Sequence, residues 1–290
     1  MKTKLFFLLI LIITFTAAYA FFVEPFNIQV RQINIPDLKF HKQWGATKIA
    51  QLSDLHITEI GRRERTVLKK LEQLKPDLIV VTGDSAQWNR RPENAVKFLE
   101  SLKAPLGVYC VMGDADFSSC RYHCIFCHPG GDFHKQREKP YFLRDHMVEI
   151  DLNLDLDNKL YSRQLTIAGI ASERDWGSEQ GYADKIGEND TQQTPLLILG
   201  HFSKKWATLT ARSKRPLLWL AGDTHGGQIW LPDFIWKILK MKPDAVHMAG
   251  LYQNNQHQWL YVNRGIGTTA GFPFRLGVHP EITLFSFDQE

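Results

Sequence analysis

The first regularity along the chain is an absence of polar positions. From Leu5 to Val23, 19 residues carry no charge, and Lys2 and Lys4 flank them on one side only. As a helix rising about 1.5 Å per residue this run covers about 28 Å, the depth of a bilayer's hydrocarbon core. A segment apolar on every face with lysines at its start is the pattern of a signal anchor or signal peptide, not of a core helix. Ala18-Tyr19-Ala20 resembles a signal-peptidase site. The run exceeds the about 7 to 15 residues of an ordinary signal-peptide core, so an uncleaved anchor over residues 1–23 is expected, with secretion if it is cut. Either way the body is expected to be exported, and with the helix kept the membrane is a partner. Keeping Lys2 and Lys4 in the cytoplasm puts everything after Val23 on the extracytoplasmic, periplasmic side.

Residues 24–45 read as an extended lead-in. From about Ala46 the pattern changes to short β-branched runs, each closed by glycine or a polar residue. Thr47 to Leu52 runs into Ser53-Asp54-Leu55-His56. A helix-period stretch from Arg65 to Leu74 carries Val67, Leu68, Leu71 and Leu74, and Asp77 to Thr82 then runs into Gly83-Asp84. Strand, helix and strand in this order predict a β-α-β unit. Gly107 to Met112 ends at Gly113-Asp114-Ala115-Asp116, Leu196 to Leu199 at Gly200-His201, and Leu217 to Ala221 at Gly222-Asp223-Thr224-His225. Tyr252 to Gln258 reads as a hairpin turn, and Asp151 to Lys159 as a polar, acidic segment.

Composition narrows the class without naming the chemistry. The 290 residues, 44% hydrophobic and 23% charged, suit one catalytic-size α/β domain over 46–290 behind the anchor. A mean hydropathy of -0.26 excludes a polytopic membrane protein. The surplus of 4 positive charges is too small to point to nucleic acid, and four cysteines cannot staple a whole fold.

Five strand ends carry Asp or His, and in open α/β sheets ligands bind beyond the carboxyl ends of strands. Any one of these residues is an ordinary turn residue; repetition over five ends predicts a common cleft. Asp54, His56, Asp84, Asp114, His201, Asp223 and His225 offer oxygen and imidazole nitrogen but no thiolate. Such donors suit Mn, Mg, Fe or Zn. Seven are too many for one tetrahedral ion and enough for two divalent metal ions sharing a carboxylate.

The order of these motifs resembles the calcineurin-like metallophosphoesterases, whose pattern is Asp-x-His, Gly-Asp, Gly-Asn-His-Asp or Glu, a lone His and Gly-His-x-His. It is similar in particular to the bacterial branch with an N-terminal membrane segment, through His225-Gly226-Gly227-Gln228-Ile229, Tyr261 to Thr269 and Pro280-Glu281-Ile282. The resemblance implies a mixed β-sandwich flanked by helices. It places one ion on Asp54, His56, Asp84 and His225, the other on Asp84, Asp114, His201 and Asp223, with Asp84 bridging. Asp84 and Asp116 are thereby the catalytic-motif carboxylates. The implied reaction is attack by a two-metal-activated hydroxide on a phosphodiester or pyrophosphate, the substrate being a phosphorylated small molecule or a lipid such as UDP-diacylglucosamine.

Three positions depart from the family pattern. Asp114 stands for Asn and Asp223 for the first His of the last motif, so two neutral donors become carboxylates and harder ions, Mn or Mg, are favoured. Ala115 stands where the family has the His thought to protonate the leaving oxygen. Losing a general acid costs about 10²- to 10⁴-fold, most for poor leaving groups. The expectation is a preference for pyrophosphates or activated esters; the alternative is a catalytically impaired relative that binds metal or phosphate, or a haem-bearing redox or sensor protein.

Residues 117–140 read as an irregular Cys/His-rich insertion containing Cys120, Cys124 and Cys127. Cys124-Ile125-Phe126-Cys127-His128 fits the attachment pattern of haem c, with Cys124 and Cys127 as thioether links and His128 on iron. A disulfide or zinc staple is the more economical reading, and Cys110 on its strand reads as core. Trp230, Phe234, Trp236, Ile238, Leu239 and Met241 are read as core aromatics and aliphatics, the second reading being an apolar ledge for acyl chains or bilayer.

Overall fold

In the computed structural model of the protein, residues 2–88, 90–119, 126, 128, 137–156, 159–170, 186, 194–204, 206–238, 247–254, 257–269 and 271–288 are described. Helix α1 (Lys2–Phe22) is exposed along its length except at Ala20. It is long and apolar enough to cross a membrane. A single helical turn at Glu24–Phe26 leads into β1 (Gln29–Asn34), α2 (Leu38–Trp44), β2 (Ile49–Leu52), α3 (Arg62–Leu74), β3 (Leu78–Thr82), α4 (Glu93–Ser101), β4 (Val108–Val111), α5 (Asp114–Ser119) and β5 (Tyr141–Phe142). The chain continues through β6 (His146–Leu156), β7 (Lys159–Gly169), β8 (Leu196–Leu199), α6 (Trp206–Arg212), β9 (Leu217–Ala221), α7 (Asp233–Ile238), β10 (Gly250–Gln253), β11 (Gln258–Val262) and β12 (Glu281–Ser286).

Two six-stranded sheets result, ordered β1-β12-β2-β3-β4-β5 and β10-β11-β9-β8-β7-β6. Strands β2, β3 and β4 run parallel, as do β7, β8, β9 and β11. Strand β12 lies between β1, to which it is parallel, and β2, to which it is antiparallel. The sandwich follows from alternation along strands buried on both faces. In β9, Leu218 and Leu220 meet Leu78, Val80 and Ile49 in the core between the sheets. Leu217, Trp219 and Ala221 point the other way, onto Trp206 and Leu209 of α6. On the first sheet Ile79 and Val81 face outward to Val67 and Leu71 of α3 and Phe98 and Leu99 of α4. The expected α/β sandwich with flanking helices and an N-terminal apolar helix is the observed architecture.

Three local readings change. Residues 24–45, expected to be a lead-in, form β1 and α2. Strand β1 (Gln29–Asn34) is half-exposed and polar in sequence, as edge strands are, which hid it. Helix α2 starts on Asp37, whose carboxylate accepts the Lys39 N–H at 3.0 Å, and its Phe40 and Trp44 pack on Phe287. Of the acidic stretch, Asp151 to Leu156 and Lys159 belong to the β6–β7 ladder, which runs from His146↔Gly169 to Leu156↔Lys159. Trp230, Phe234 and Ile238 are exposed, not core, while Leu239, Met241 and the side chain of Trp236 lie outside what is described. The turn expected over 252–258 joins β10 to β11, closed by Asn254 N–H on the Gln258 carbonyl at 3.1 Å.

Candidate metal centre

The carboxyl ends of β2, β3 and β4 in one sheet and β8 and β9 in the other deliver the seven candidate ligands to one place. Below them Gln51 ties the sheets together, its amide donating to Thr82 Oγ1 at 3.0 Å and to the Ala221 carbonyl at 2.9 Å. Thr82 in turn donates to Ser53 Oγ at 2.8 Å. Gln51, Ser53 and Thr82 are fully buried. This polar floor was not read from the sequence, because single polar residues at the ends of apolar runs look like ordinary strand termini.

Leaving a strand for a tight loop that aims its side chain back into the cleft demands unusual backbone. Asp54, His56, Asp84, Asp223 and His225 all have φ between 46 and 72°. Left-handed backbone is uncommon for residues other than glycine, and its concentration here is strain held at a site. Gly113 serves the same end by close approach. A Cβ on it would lie 2.1 Å from Asp84 Oδ1, so only glycine lets the β4 loop pass the Asp84 carboxylate.

Asp84 lies between two imidazoles, Oδ2 3.6 Å from His56 Nε2 and Oδ1 3.5 Å from His201 Nε2. His201 Nδ1 lies 2.9 Å from the Thr82 carbonyl. Donation there fixes the ring's orientation and aims Nε2 into the cleft. That nitrogen is buried without a hydrogen-bond partner, and Asp114 and Asp223 add oxygens at 3.7 and 3.9 Å. On the other side His56 Nε2 and His225 Nε2 are 3.0 Å apart, and Asp54 Oδ1 is 3.5 Å from His225 Nε2. Ligand atoms of Asp54, His56 and His225 all lie within 4.8 Å of one another, as do those of Asp54, Asp84 and His201. Asp114 and Asp223 are the more exposed members, so the cleft opens on their side.

Electrostatics describe a donor set short of positive charge. Burial pushes Asp54 up to about 6 and Asp84 well above the usual carboxylate range. Burial lowers His56 to about 3 and His225 well below the ordinary histidine value, with neighbouring cationic groups adding to it. For His201 burial acts downward, but the carboxylates around it win and hold it well above that value. A buried imidazole nitrogen that holds its proton only because carboxylates surround it, beside two neutral imidazoles, fits divalent cations that would take that proton's place.

Asp116 points elsewhere. Its carboxylate accepts N–H groups from Ala86 at 2.8 Å and Gly113 at 3.0 Å, clamping the β3 loop to the β4 loop. Ala115 is buried; its N–H donates to Asp84 Oδ1 at 2.9 Å. Arg275, absent from the sequence reading, is also fully buried. Its guanidinium donates to the carbonyls of Gly267, Arg264 and Gly265 and lies 3.3 Å from His225 Nδ1. Of the haem candidates, Cys124 and Cys127 lie outside the described residues, as does Cys120, and His128 is half-buried. Cys110 is a buried free thiol packed in the core of the first sheet.

The profile for calcineurin-like phosphoesterases matches residues 47–227 of the chain. The uncharacterized metallophosphoesterase YkuE of Bacillus subtilis is 28% identical, covering 92% of this chain and 88% of its own. The UDP-2,3-diacylglucosamine pyrophosphatase LpxG of Chlamydia trachomatis is 32% identical, covering 87% of each. Among solved structures, a dimetal phosphatase from Danio rerio covers 76% of this chain and 88% of its own at 10% identity, with a TM-score of 0.40.

Proposed function

The chain belongs to the calcineurin-like phosphoesterase family, and from that premise we propose that it hydrolyses the pyrophosphate or an activated ester of a phosphorylated lipid or small molecule, using two divalent cations. The observation that carries this is His201 Nε2, buried without a hydrogen-bond partner among Asp84, Asp114 and Asp223, across Asp84 from the His56 and His225 pair. The name of the 32% identical relative supports a lipid-linked UDP pyrophosphate as the substrate class.

One cation would be held by Asp54, His56, Asp84 and His225, the other by Asp84, Asp114, His201 and Asp223. Bound there, the cations would supply a nucleophilic water and offset charge on the phosphoryl oxygens. The chain itself does the positioning. Thr82 holds the His201 ring, the Ala115 N–H orients Asp84, and Asp116 fixes the two loops that carry them. The two additional carboxylates, Asp114 and Asp223, favour Mn or Mg. No side chain at Ala115 can hand a proton to the leaving group, so leaving groups that depart as stable anions are preferred. With α1 in the membrane and Lys2 and Lys4 cytoplasmic, this chemistry takes place on the extracytoplasmic side.

Parallel assays of an activated aryl phosphodiester and a lipid-linked UDP pyrophosphate, with added Mn or Mg, test the proposal. Metal-dependent hydrolysis of the pyrophosphate is expected. Retention of metal with turnover of neither substrate would make the protein a binder instead of an enzyme.

A further inference from the structure

Among the described residues beyond Val23, the four most exposed large apolar side chains are Ile238, Trp230, Phe234 and Phe272, at 72, 64, 61 and 56%. They belong to one neighbourhood. The Trp230 N–H donates to the Leu276 carbonyl at 2.7 Å, and the Gln228 amide donates to the Phe272 carbonyl at 3.2 Å, so residues 228–230 and 272–276 form a single unit. Phe234 and Ile238, four apart on α7, share a helix face directly after Trp230.

The same unit holds the end of α1. The Arg275 N–H donates to the Ala20 carbonyl at 3.1 Å, and the Phe274 ring lies 4.8 Å from that of Phe21. Helix α1 has 21 residues, about 31 Å at about 1.5 Å each, which matches a hydrocarbon core with nothing to spare. When α1 spans a bilayer, Ala20 and Phe21 in its last turn are at the boundary, and whatever touches them is at the boundary too. Aromatic side chains at that depth are the composition of an interfacial belt. The metal site is tied to the same loop, since the side chain of Arg275 reaches His225 while its backbone holds α1.

We propose that Trp230, Phe234, Ile238 and Phe272 form a membrane-docking face, continuous with α1, that sets the mouth of the metal site against the leaflet and takes the substrate from it. The occupant is the bilayer itself, and the substrate class is an acyl lipid carrying a phosphate or pyrophosphate at headgroup depth. The substrate half rests on the phosphoesterase reading above; the docking half does not.

The test uses the full chain in nanodiscs of phosphatidylethanolamine and phosphatidylglycerol. Rates on a water-soluble aryl phosphodiester and on a lipid-linked UDP pyrophosphate are compared for the unaltered chain and for Phe234→Ser with Ile238→Ser. The lipid-to-soluble rate ratio is expected to fall at least tenfold. Equal losses on both substrates, or an unchanged ratio, would overturn delivery from the leaflet. Separately, quenching by brominated acyl chains is compared between the unaltered chain and Trp230→Phe, which isolates Trp230. Quenching of Trp230 is expected, and its absence would overturn docking whatever the activity. Quenching without hydrolysis of either substrate would support docking while overturning the substrate half and the hydrolase reading.

Discussion

Nε2 of His56 and Nε2 of His225 face each other at 3.0 Å, with ring planes 19° apart. Both imidazoles are buried and held neutral, so at most one proton can lie between them, and the pair is poised to share a cation. Replacing His225 with Gln is therefore expected to lower bound divalent metal by about one ion per chain and metal-dependent turnover by at least about 100-fold. Elemental analysis of the purified protein, with rates at saturating Mn, checks both. An unchanged metal content would remove His225 from the ligand set.

Metal affinity should depend on pH through Asp54, which burial holds at about 6. The sign follows from which form binds: only the carboxylate takes a cation, and below about pH 6 the proton must first be displaced. Affinity is expected to fall by about tenfold or more per pH unit below 6, and to keep rising above pH 6 as Asp84 and His201, both held above their ordinary values, give up their protons to the cation. Chelator competition between pH 5 and 8 reads the curve. A flat profile would show that Asp54 is not titrating on binding.

Gly113→Ala places a Cβ only 2.1 Å from Asp84 Oδ1. Asp84 or the β4 loop must move, and the position between His56 and His201 is lost with it. Expected are a lowered Tm and metal binding weakened more than tenfold. Full metal affinity with an unchanged Tm would mean that the loop relaxes freely.

Asp116→Asn separates holding from chemistry. An amide keeps one acceptor oxygen, so one of the two N–H groups from Ala86 and Gly113 loses its partner, a buried loss of about 1–3 kcal/mol. Stability without added metal is expected to drop, with turnover at saturating metal reduced far less than in Asp84→Asn. Equal kinetic damage in both variants would give Asp116 a direct part in the reaction.

With Ala115 offering no proton, rates should fall steeply as the leaving group becomes more basic. A series of aryl phosphodiesters graded in phenol acidity, extended to a methyl ester, measures the slope. The methyl ester is expected to react at least about 100-fold more slowly than the most activated aryl ester. A shallow dependence would reveal another proton donor at the cleft.

The motifs at the strand ends were legible because chemistry concentrates there. Asp54, Asp84, His201 and Asp223 each follow an apolar run that can only be a buried strand, so the sequence pattern itself aims them at one cleft. Asp116 was legible as a motif member but not as a clamp, since nothing in Gly113-Asp114-Ala115-Asp116 says that its carboxylate turns back to Ala86. Arg275 was invisible for a similar reason. An arginine among Phe272, Pro273 and Phe274 looks like a surface residue until five backbone carbonyls are found around it. Exposed Trp230 and Phe234 misled in the opposite direction, because aromatic residues are usually interior and periodicity does not report what lies outside the protein.

Strand β12, near the end of the chain, is wedged between β1 and β2. Strands β2, β3 and β4 pair directly, but β1 joins them only once residues 281–286 have travelled back to a partner about 230 residues earlier, Thr283 to Gln51. Closure over such a sequence separation is intrinsically slow. The join between β1 and β2 is therefore among the last contacts of the fold to form, and a circular permutant that places residues 281–286 before β2 would assemble this sheet faster than the natural order does.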